Sequence, residues 1–388
     1  MSSSSDRPVV LLFVGVFPPV FESSGAARSV AAIVEHLGEE FDFRIVTSAH
    51  HERSDPIPDV WTSWGASSVM YVSRRRGAIL PALSVSEDLR RPDMLYLNSF
   101  LSRRFSWLPL LLWSTRWLRP GRVVLAPRGE FSAGALSIRP RRKRVAISLF
   151  KAVGLHRRVE WHVSNEHEEA DLRRVMGRHV GPVHRAQDLT PLVGLEVDEP
   201  MSESEDAEGL NVVFLSRISP KKNLAGALAT LALCRESVHL TIAGPISDTG
   251  YWDECGRLIR SLPENVRVKY VGEVPANRVL ALFSAADVMF LPTHGENFGH
   301  VIAESLAAGT PVLISDRTPW NGVEASGAGW VLGPDDHRGY AEVLDDYASA
   351  PDAERSRRRA AARSLAEREL MTGEPEEAHR RMLTGDDR

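Results

Sequence analysis

Two series of short apolar runs, parted by an acidic polar stretch, constrain this chain more than any other feature. The first series comprises 9–14, 43–47, 68–72, 94–98, 123–126 and 161–164; the second comprises 211–215, 238–243, 266–271, 288–291 and 312–314. Helical patterns fall between many of these runs, which is the signature of parallel α/β sheets with both faces covered. Between the series, residues 198–209 (Asp-Glu-Pro-Met-Ser-Glu-Ser-Glu-Asp-Ala-Glu-Gly) have no apolar period and read as an exposed linker. A chain of 388 residues also exceeds the usual range of a single core. The expected organisation is a disordered start over 1–8, a Rossmann-like domain over 9–197, the linker at 198–209, a second Rossmann-like domain over 210–370 and a charged tail over 371–388. Ligands of such doubly wound α/β sheets bind beyond the carboxyl ends of the strands, so a cleft between two of them is the expected site.

Composition removes several function classes. The formal net charge of −4 gives no case for nucleic acid, and 25% charged with 43% hydrophobic residues is ordinary for a soluble globular protein. Cys234 and Cys255 lack metal-ligand spacing and imply neither a zinc site nor a disulfide framework. The polar start has no signal-peptide core, so the cytoplasm is the expected location.

The richest chemistry follows the run 287–292. Thr293-His-Gly-Glu-Asn-Phe-Gly-His-Val-Ile-Ala-Glu304 places Glu296 in a strand-to-helix loop and Glu304 inside a helix expected from Gly299 to Gly309. A rise of about 1.5 Å per residue then separates the carboxylates by roughly 10 Å. One carboxylate could accept hydrogen bonds from a sugar and the other from a ribose. Between them the amides of Phe298 and Gly299 sit at a helix N-terminus that favours anions. A surface helix that happens to carry two Glu is the competing reading. Leu215-Ser-Arg-Ile-Ser-Pro-Lys-Lys-Asn223 also lies after a strand and before a helix. Arg217 offers a planar fork and Lys222 a point charge, a pair suited to the oxygens of a diphosphate. Solvated lysines in a first helical turn are the alternative, although the dipole disfavours cations there.

With both motifs in view, the chain resembles the retaining glycosyltransferases of family 4, whose GT-B fold pairs two Rossmann-like domains. Ser216 to Leu224 is similar to the family's phosphate-binding segment. Glu296 to Glu304 matches its signature of two Glu separated by seven residues, and Ala307-Ala-Gly-Thr-Pro-Val312 matches the segment that follows. The resemblance implies that Glu296, Asn297 and the amides of Phe298 and Gly299 contact the donor hexose, Glu304 the ribose, and Arg217 and Lys222 the diphosphate, and that Gly272-Glu-Val-Pro275 lies near the base. It also implies a glycine-bearing loop near the phosphates, here 17–29 with Ser24-Gly25 in place of the usual glycine pair. A mere helix start capped by Ser23 or Ser24 is the other reading of that loop. Leu125-Ala-Pro-Arg-Gly-Glu-Phe131 resembles a subgroup that carries Pro-Arg-Gly. Arg128 is thus a candidate contact for an acceptor or a phosphate, against the alternative of a structural salt bridge. Thr318-Pro-Trp-Asn321 resembles a segment of the same subgroup and reads as packing or loop structure. Where the family often has an Asn-Gly-Val-Asp turn, this chain departs, with Arg185-Ala-Gln-Asp-Leu-Thr190.

The implied reaction moves a hexose from a nucleoside-diphosphate sugar, such as a UDP-sugar, to a sugar or lipid-linked acceptor in cell-surface polysaccharide or glycolipid synthesis. The chain has no Asp-x-Asp, so a metal clamp is not indicated, and Arg217 and Lys222 would carry the leaving-group charge without metal or cofactor. Retention by front-face attack, with Glu296 positioning the sugar, comes from the resemblance. An epimerase or phosphorylase using the same pocket, and a non-catalytic nucleotide-sugar binder, are the alternatives. Finally, residues 99–119 mix Arg with Trp and Leu, and 139–144 is a basic cluster. Such surfaces can lie on anionic membranes, giving peripheral contact through the first domain; a sheet-covering helix with snorkelling Arg is the competing reading.

Overall fold

The computed structural model describes residues 7–18, 25–49, 59–73, 79–84, 86–137, 140–189, 209–370 and 373–386. The expected disordered start (apart from residues 7 and 8), residues 19–24 of the glycine-bearing loop and the acidic linker up to residue 208 lie outside them. The chain divides into two compact units, residues 1–192 with 373–388, and residues 193–372.

The first unit is built on eight strands: β1 (Val9–Val14), β2 (Asp42–Ser48), β3 (Trp61–Trp64), β4 (Ser67–Val72), β5 (Met94–Asn98), β6 (Arg122–Ala126), β7 (Glu160–Val163) and β8 (Val183–Arg185). They lie in the order β3-β4-β2-β1-β5-β6-β7-β8, with every pairing parallel except β3 against β4. Continuous Val, Leu and Phe in β1 suit a strand covered on both faces. One face packs Leu11, Phe13, Leu95 and Trp161 against Phe100 and Phe150. The other packs Val10, Leu12 and Tyr96 against Val30, Ile33 and Val34 of helix Gly25–Leu37. Helix Glu166–Met176 shows how local chemistry sets an end: Asn165 accepts from the Glu168 amide at 2.9 Å, and three Glu occupy the first turn where the dipole favours them.

The segment expected as a charged tail contains helix Glu374–Thr384, which belongs to the first unit. Arg122 Nη1 donates to the Met382 carbonyl at 2.8 Å, His36 pairs with Glu376 at 3.0 Å, and Arg380 bridges Glu40 and Glu376. Met382 and Leu383 are buried in the unit's core. The charges that mark the segment as a tail are thus its outer face, and its buried side chains are too few to stand out as an apolar period.

The second unit has six strands, β9 (Leu210–Leu215), β10 (Val238–Ala243), β11 (Val266–Gly272), β12 (Val288–Leu291), β13 (Val312–Ser315) and β14 (Gly329–Leu332). Their order is β11-β10-β9-β12-β13-β14, and all pairings are parallel. The chain winds outward from β9 to β11 and then returns to place β12 on the other side of β9. The crevice beyond the carboxyl ends of β9 and β12 is therefore a topological switch point, where open α/β sheets bind ligands.

Candidate functional site

The two loops at that switch point are the ones singled out in the sequence. After β9 the chain passes through Arg217 and a short 3-10 turn, Pro220–Lys222, into helix Leu224–Leu231. After β12 it passes through Glu296 into helix His300–Ala307, with Gly299 as N-cap in the left-handed region at φ 83°. A side chain there would be strained, and its Cβ would stand 3.0 Å from Ile302 Cδ1.

Lys222 and Glu296 form an ion pair, with side chains 13% and 11% exposed. Such burial means each charge depends on its partner, or on a ligand group that replaces it. Arg217 is exposed and engages no described residue through its guanidinium. The site therefore presents one cation pointing outward and a second already oriented by a carboxylate.

Backbone and side-chain bonds lace the two loops together. The Lys221 carbonyl accepts from the His294 amide at 2.9 Å and from Thr293 Oγ1 at 3.1 Å. The Glu296 amide donates to the Arg317 carbonyl at 2.9 Å, which ties in the loop after β13. Asn223 does more than either loop alone. It sits at φ 59°, caps its helix by accepting from the Gly226 amide at 3.1 Å, and donates to the carbonyls of Pro292 at 2.9 Å and Pro334 at 3.2 Å. A Cβ at Gly226 would come within 2.5 Å of the Asn223 amide, so the glycine makes room for the cap.

Phe298 is buried, with Trp320 Nε1 donating to its carbonyl at 2.6 Å and the two rings 5.7 Å apart. Trp320 therefore fixes the turn in which Asn297 and Gly299 lie, as its reading as packing anticipates. Glu304 is buried within helix His300–Ala307. Asn223 and Thr293 stand inside the quoted motifs, but their role in bridging loops was not read from the sequence. An Asn before an apolar helix is a visible capping signal; nothing in the sequence marks Thr293 or Trp320 as bridges between loops.

In the first unit the Pro-Arg-Gly-Glu turn follows β6. Arg128, at φ 52°, donates to Asn98 Oδ1 at 2.7 Å and Tyr96 OH at 2.8 Å and pairs with Asp188, with side chains 7% and 4% exposed. Burial opposes the guanidinium's charge, yet Asp188 and its other neighbours outweigh that and hold its pKa above the ordinary value. The Gly129 amide donates to Glu168, and Glu130 accepts from Ser99 Oγ and the Phe100 and Leu101 amides at 2.7–2.8 Å. Burial pushes the Glu130 carboxyl up despite those bonds. The turn is a knot joining the loops after β5, β6 and β7, and the Arg128 guanidinium is engaged by Tyr96, Asn98 and Asp188 of its own unit. Gly25 is exposed at the start of its helix.

Residues 199–364 match the family model Glycosyl transferases group 1. A D-inositol 3-phosphate glycosyltransferase of Mycolicibacterium gilvum is 29% identical over 233 residues, 58% of this chain and 51% of that protein. A phosphatidyl-myo-inositol mannosyltransferase of Mycolicibacterium smegmatis is 32% identical over 153 residues, 38% of each chain. The chain thus spans about half or less of the length of these curated relatives. Among solved structures, sucrose-phosphate synthase from Thermosynechococcus elongatus superposes with a TM-score of 0.75 at 18% identity, covering 98% of this chain and 100% of that one. Anabaena HepE in complex with UDP-glucose gives 0.72 at 18% identity, covering 97% and 99%. These likenesses show the GT-B architecture of two parallel-sheet Rossmann-like units.

Proposed function

We propose that the chain is a retaining glycosyltransferase that moves a hexose from a nucleoside-diphosphate sugar to a hydroxyl of a sugar or lipid-linked acceptor, without metal or cofactor, in the cytoplasm. The observation that carries this reading is the Lys222–Glu296 pair at the β9/β12 switch point, inside the segment that matches the Glycosyl transferases group 1 model. A donor diphosphate would take up Arg217 and replace Glu296 as the anion beside Lys222. The freed Glu296 carboxylate then accepts from the hexose hydroxyls, with Asn297 and the amides of Phe298 and Gly299 beside it, while Glu304 holds the ribose.

In the reaction the bond from the sugar C1 to the diphosphate oxygen breaks, and the acceptor oxygen bonds to C1 from the same face. The acceptor's proton passes to the departing phosphate oxygen. Arg217 and Lys222 stabilise the charge that grows on the leaving group, and the laced loops supply this stabilisation already oriented. Arg128 acts as a positioning residue for the turn after β6.

Incubation with a panel of UDP-, GDP- and ADP-sugars tests the reading through released nucleotide, and the anomeric configuration of the product tests retention. The Anabaena protein's complex makes UDP-glucose the first donor to try. Unchanged turnover in both Arg217→Ala and Glu296→Ala would sink the site assignment, and loss of turnover in a chelator would sink the metal-free mechanism.

A further inference from the structure

Residues 101–158 carry fourteen Lys and Arg and a single acidic residue, Glu130, in a chain whose formal net charge is −4. Glu130 is spent inward, on Ser99 and the Phe100 and Leu101 amides. On the neighbouring helix Glu166–Met176, the acids Glu166, Glu169 and Asp171 are engaged by Arg173, Arg174 and Arg185. The outer face of 101–158 therefore has little counter-charge of its own.

This cationic face also exposes hydrocarbon. On helix Pro140–Ala152 and the residue after it, Val145, Leu149 and Val153 are 68%, 52% and 54% exposed. A spacing of four residues puts them in one stripe along the helix. Leu111, on helix Leu108–Ser114, is 58% exposed. Nine large apolar side chains are exposed among the described residues, and this stripe holds three of them. The remainder of helix Leu108–Ser114 covers the sheet through Pro109, Leu110 and Leu112, so the stripe lies on helix Pro140–Ala152 and Val153. Phe150 packs edge-on against Phe100 and Trp107, with ring centroids 5.0 and 5.9 Å apart, and so seats that helix beside the 103–107 turn. Between them lies a groove of about 510 Å³ that joins Trp107, Val145 and Leu149 to Arg103, Arg142 and Lys143.

We propose that this face seats the chain on a bilayer leaflet bearing anionic phospholipid. The helix Pro140–Ala152 would lie in the interfacial plane, its apolar stripe at the boundary of headgroups and acyl chains and its arginines on lipid phosphates. No helix among the described residues is long and apolar enough to cross a membrane, so the contact is peripheral. Nucleic-acid phosphates would match the arginines but leave Val145, Leu149 and Val153 in water. A second copy docked on the same patch would set like charges against each other. The inference goes beyond the donor-site reading and does not depend on it.

The test is flotation of the full chain with vesicles of phosphatidylcholine alone and of phosphatidylcholine mixed with phosphatidylglycerol. Partition to the mixed vesicles, weakened by salt, is the expected result. Each cation at an anionic surface contributes about fivefold. Arg141→Gln/Arg142→Gln/Arg144→Gln should therefore lower partition on the order of 100-fold, and Val145→Ser/Leu149→Ser on the order of tenfold. These positions are solvent-facing, so melting temperature and nucleotide release in solution should hold in both variants. The charge control is Arg357→Gln/Arg363→Gln/Arg368→Gln on helix Asp352–Leu370 of the second unit. Equal partition to both vesicle types overturns the proposal, as does an equal loss in the charge control. A dimer in vesicle-free sedimentation that Leu149→Ser dissolves would assign the face to a second copy and overturn it as well.

Discussion

Arg128 and Arg217 each follow a strand of a parallel sheet by two residues, yet they end in opposite situations. Arg128 is buried and bound by Tyr96, Asn98 and Asp188. Arg217 is exposed beside a Lys–Glu pair that is itself nearly enclosed. Both units lace their strand-end loops together, but the first closes its polar groups on one another and the second leaves one cation facing out. A guanidinium with several internal partners gains little from a ligand, whereas an exposed one beside a preorganised pair can meet a diphosphate at small reorganisation cost. The position of an arginine in the strand–loop–helix unit therefore does not decide its role; the acceptors around it do.

The comparison breaks most readily at Arg128. Arg128→Ala removes the guanidinium that pairs with buried Asp188 and donates to Asn98 and Tyr96, and should destabilise the fold by about 3–5 kcal/mol; a urea titration showing less than about 1 kcal/mol would mean the knot is held elsewhere. The reverse holds for Arg217→Ala. Nucleotide release should fall on the order of 100-fold, equivalent to about 2.7 kcal/mol, while stability stays within about 0.5 kcal/mol. A variant that moved stability and spared turnover would erase the contrast. Asn223→Ala removes a cap and the donor to two carbonyls, and should cost about 2 kcal/mol of stability and raise KM for the donor.

A further effect is in pH. Fully buried His379 lies edge-on to His162, ring centroids 5.1 Å apart, and burial together with nearby Arg128 holds the His379 pKa down to about 4 and that of His162 well below its usual range. His162 Nε2 donates to the Ala186 carbonyl at 2.9 Å, which leaves Nδ1 to accept from Tyr96 OH at 2.6 Å. Burial raises the Tyr96 phenol to about 12, so it stays protonated to serve as that donor. Both histidines are neutral in the fold. The unfolded chain takes up their protons as pH falls below about 6.5, so their contribution is complete above that pH and is lost toward pH 4. The slope should reach about 1.4 kcal/mol per pH unit for each proton. His379→Gln should flatten the pH dependence of urea midpoints between pH 6.5 and 4.5; an unchanged slope would place the titration in other groups.

The strands were legible because burial on both faces writes them as continuous apolar runs. β1, β5, β10 and β12 coincide with the expected runs, and the others differ by one or two residues. β3, β8 and β14 escaped notice for physical reasons. Trp61–Trp64 sets adjacent Thr and Ser between two Trp on an antiparallel edge, Val183–Arg185 has three residues, and Gly329–Leu332 begins with a glycine that packs on the Val312 carbonyl. Glu296 and Lys222 were legible as residues with a shared chemistry, but their pairing joins positions 74 apart, which no local pattern reports. Arg128 shows the converse: its motif stood out, and only the fold brings Asp188 to it. Helix Glu374–Thr384 was hidden because its buried residues, among them His379, Met382 and Leu383, sit among charges that hold its outer face.

That last helix has a consequence for synthesis on the ribosome. The second unit is an insertion, spanning Val193–Thr372, within a first unit whose final piece is Gly373–Arg388. The second unit can therefore complete its core while the first still awaits its closing helix. Until residues 379–383 emerge, the growing first unit has an open face around Val30, Tyr96 and His162. The half of the protein translated first is in this sense the half finished last, and a stop codon that removes only the closing helix would strike the opposite end of the gene product.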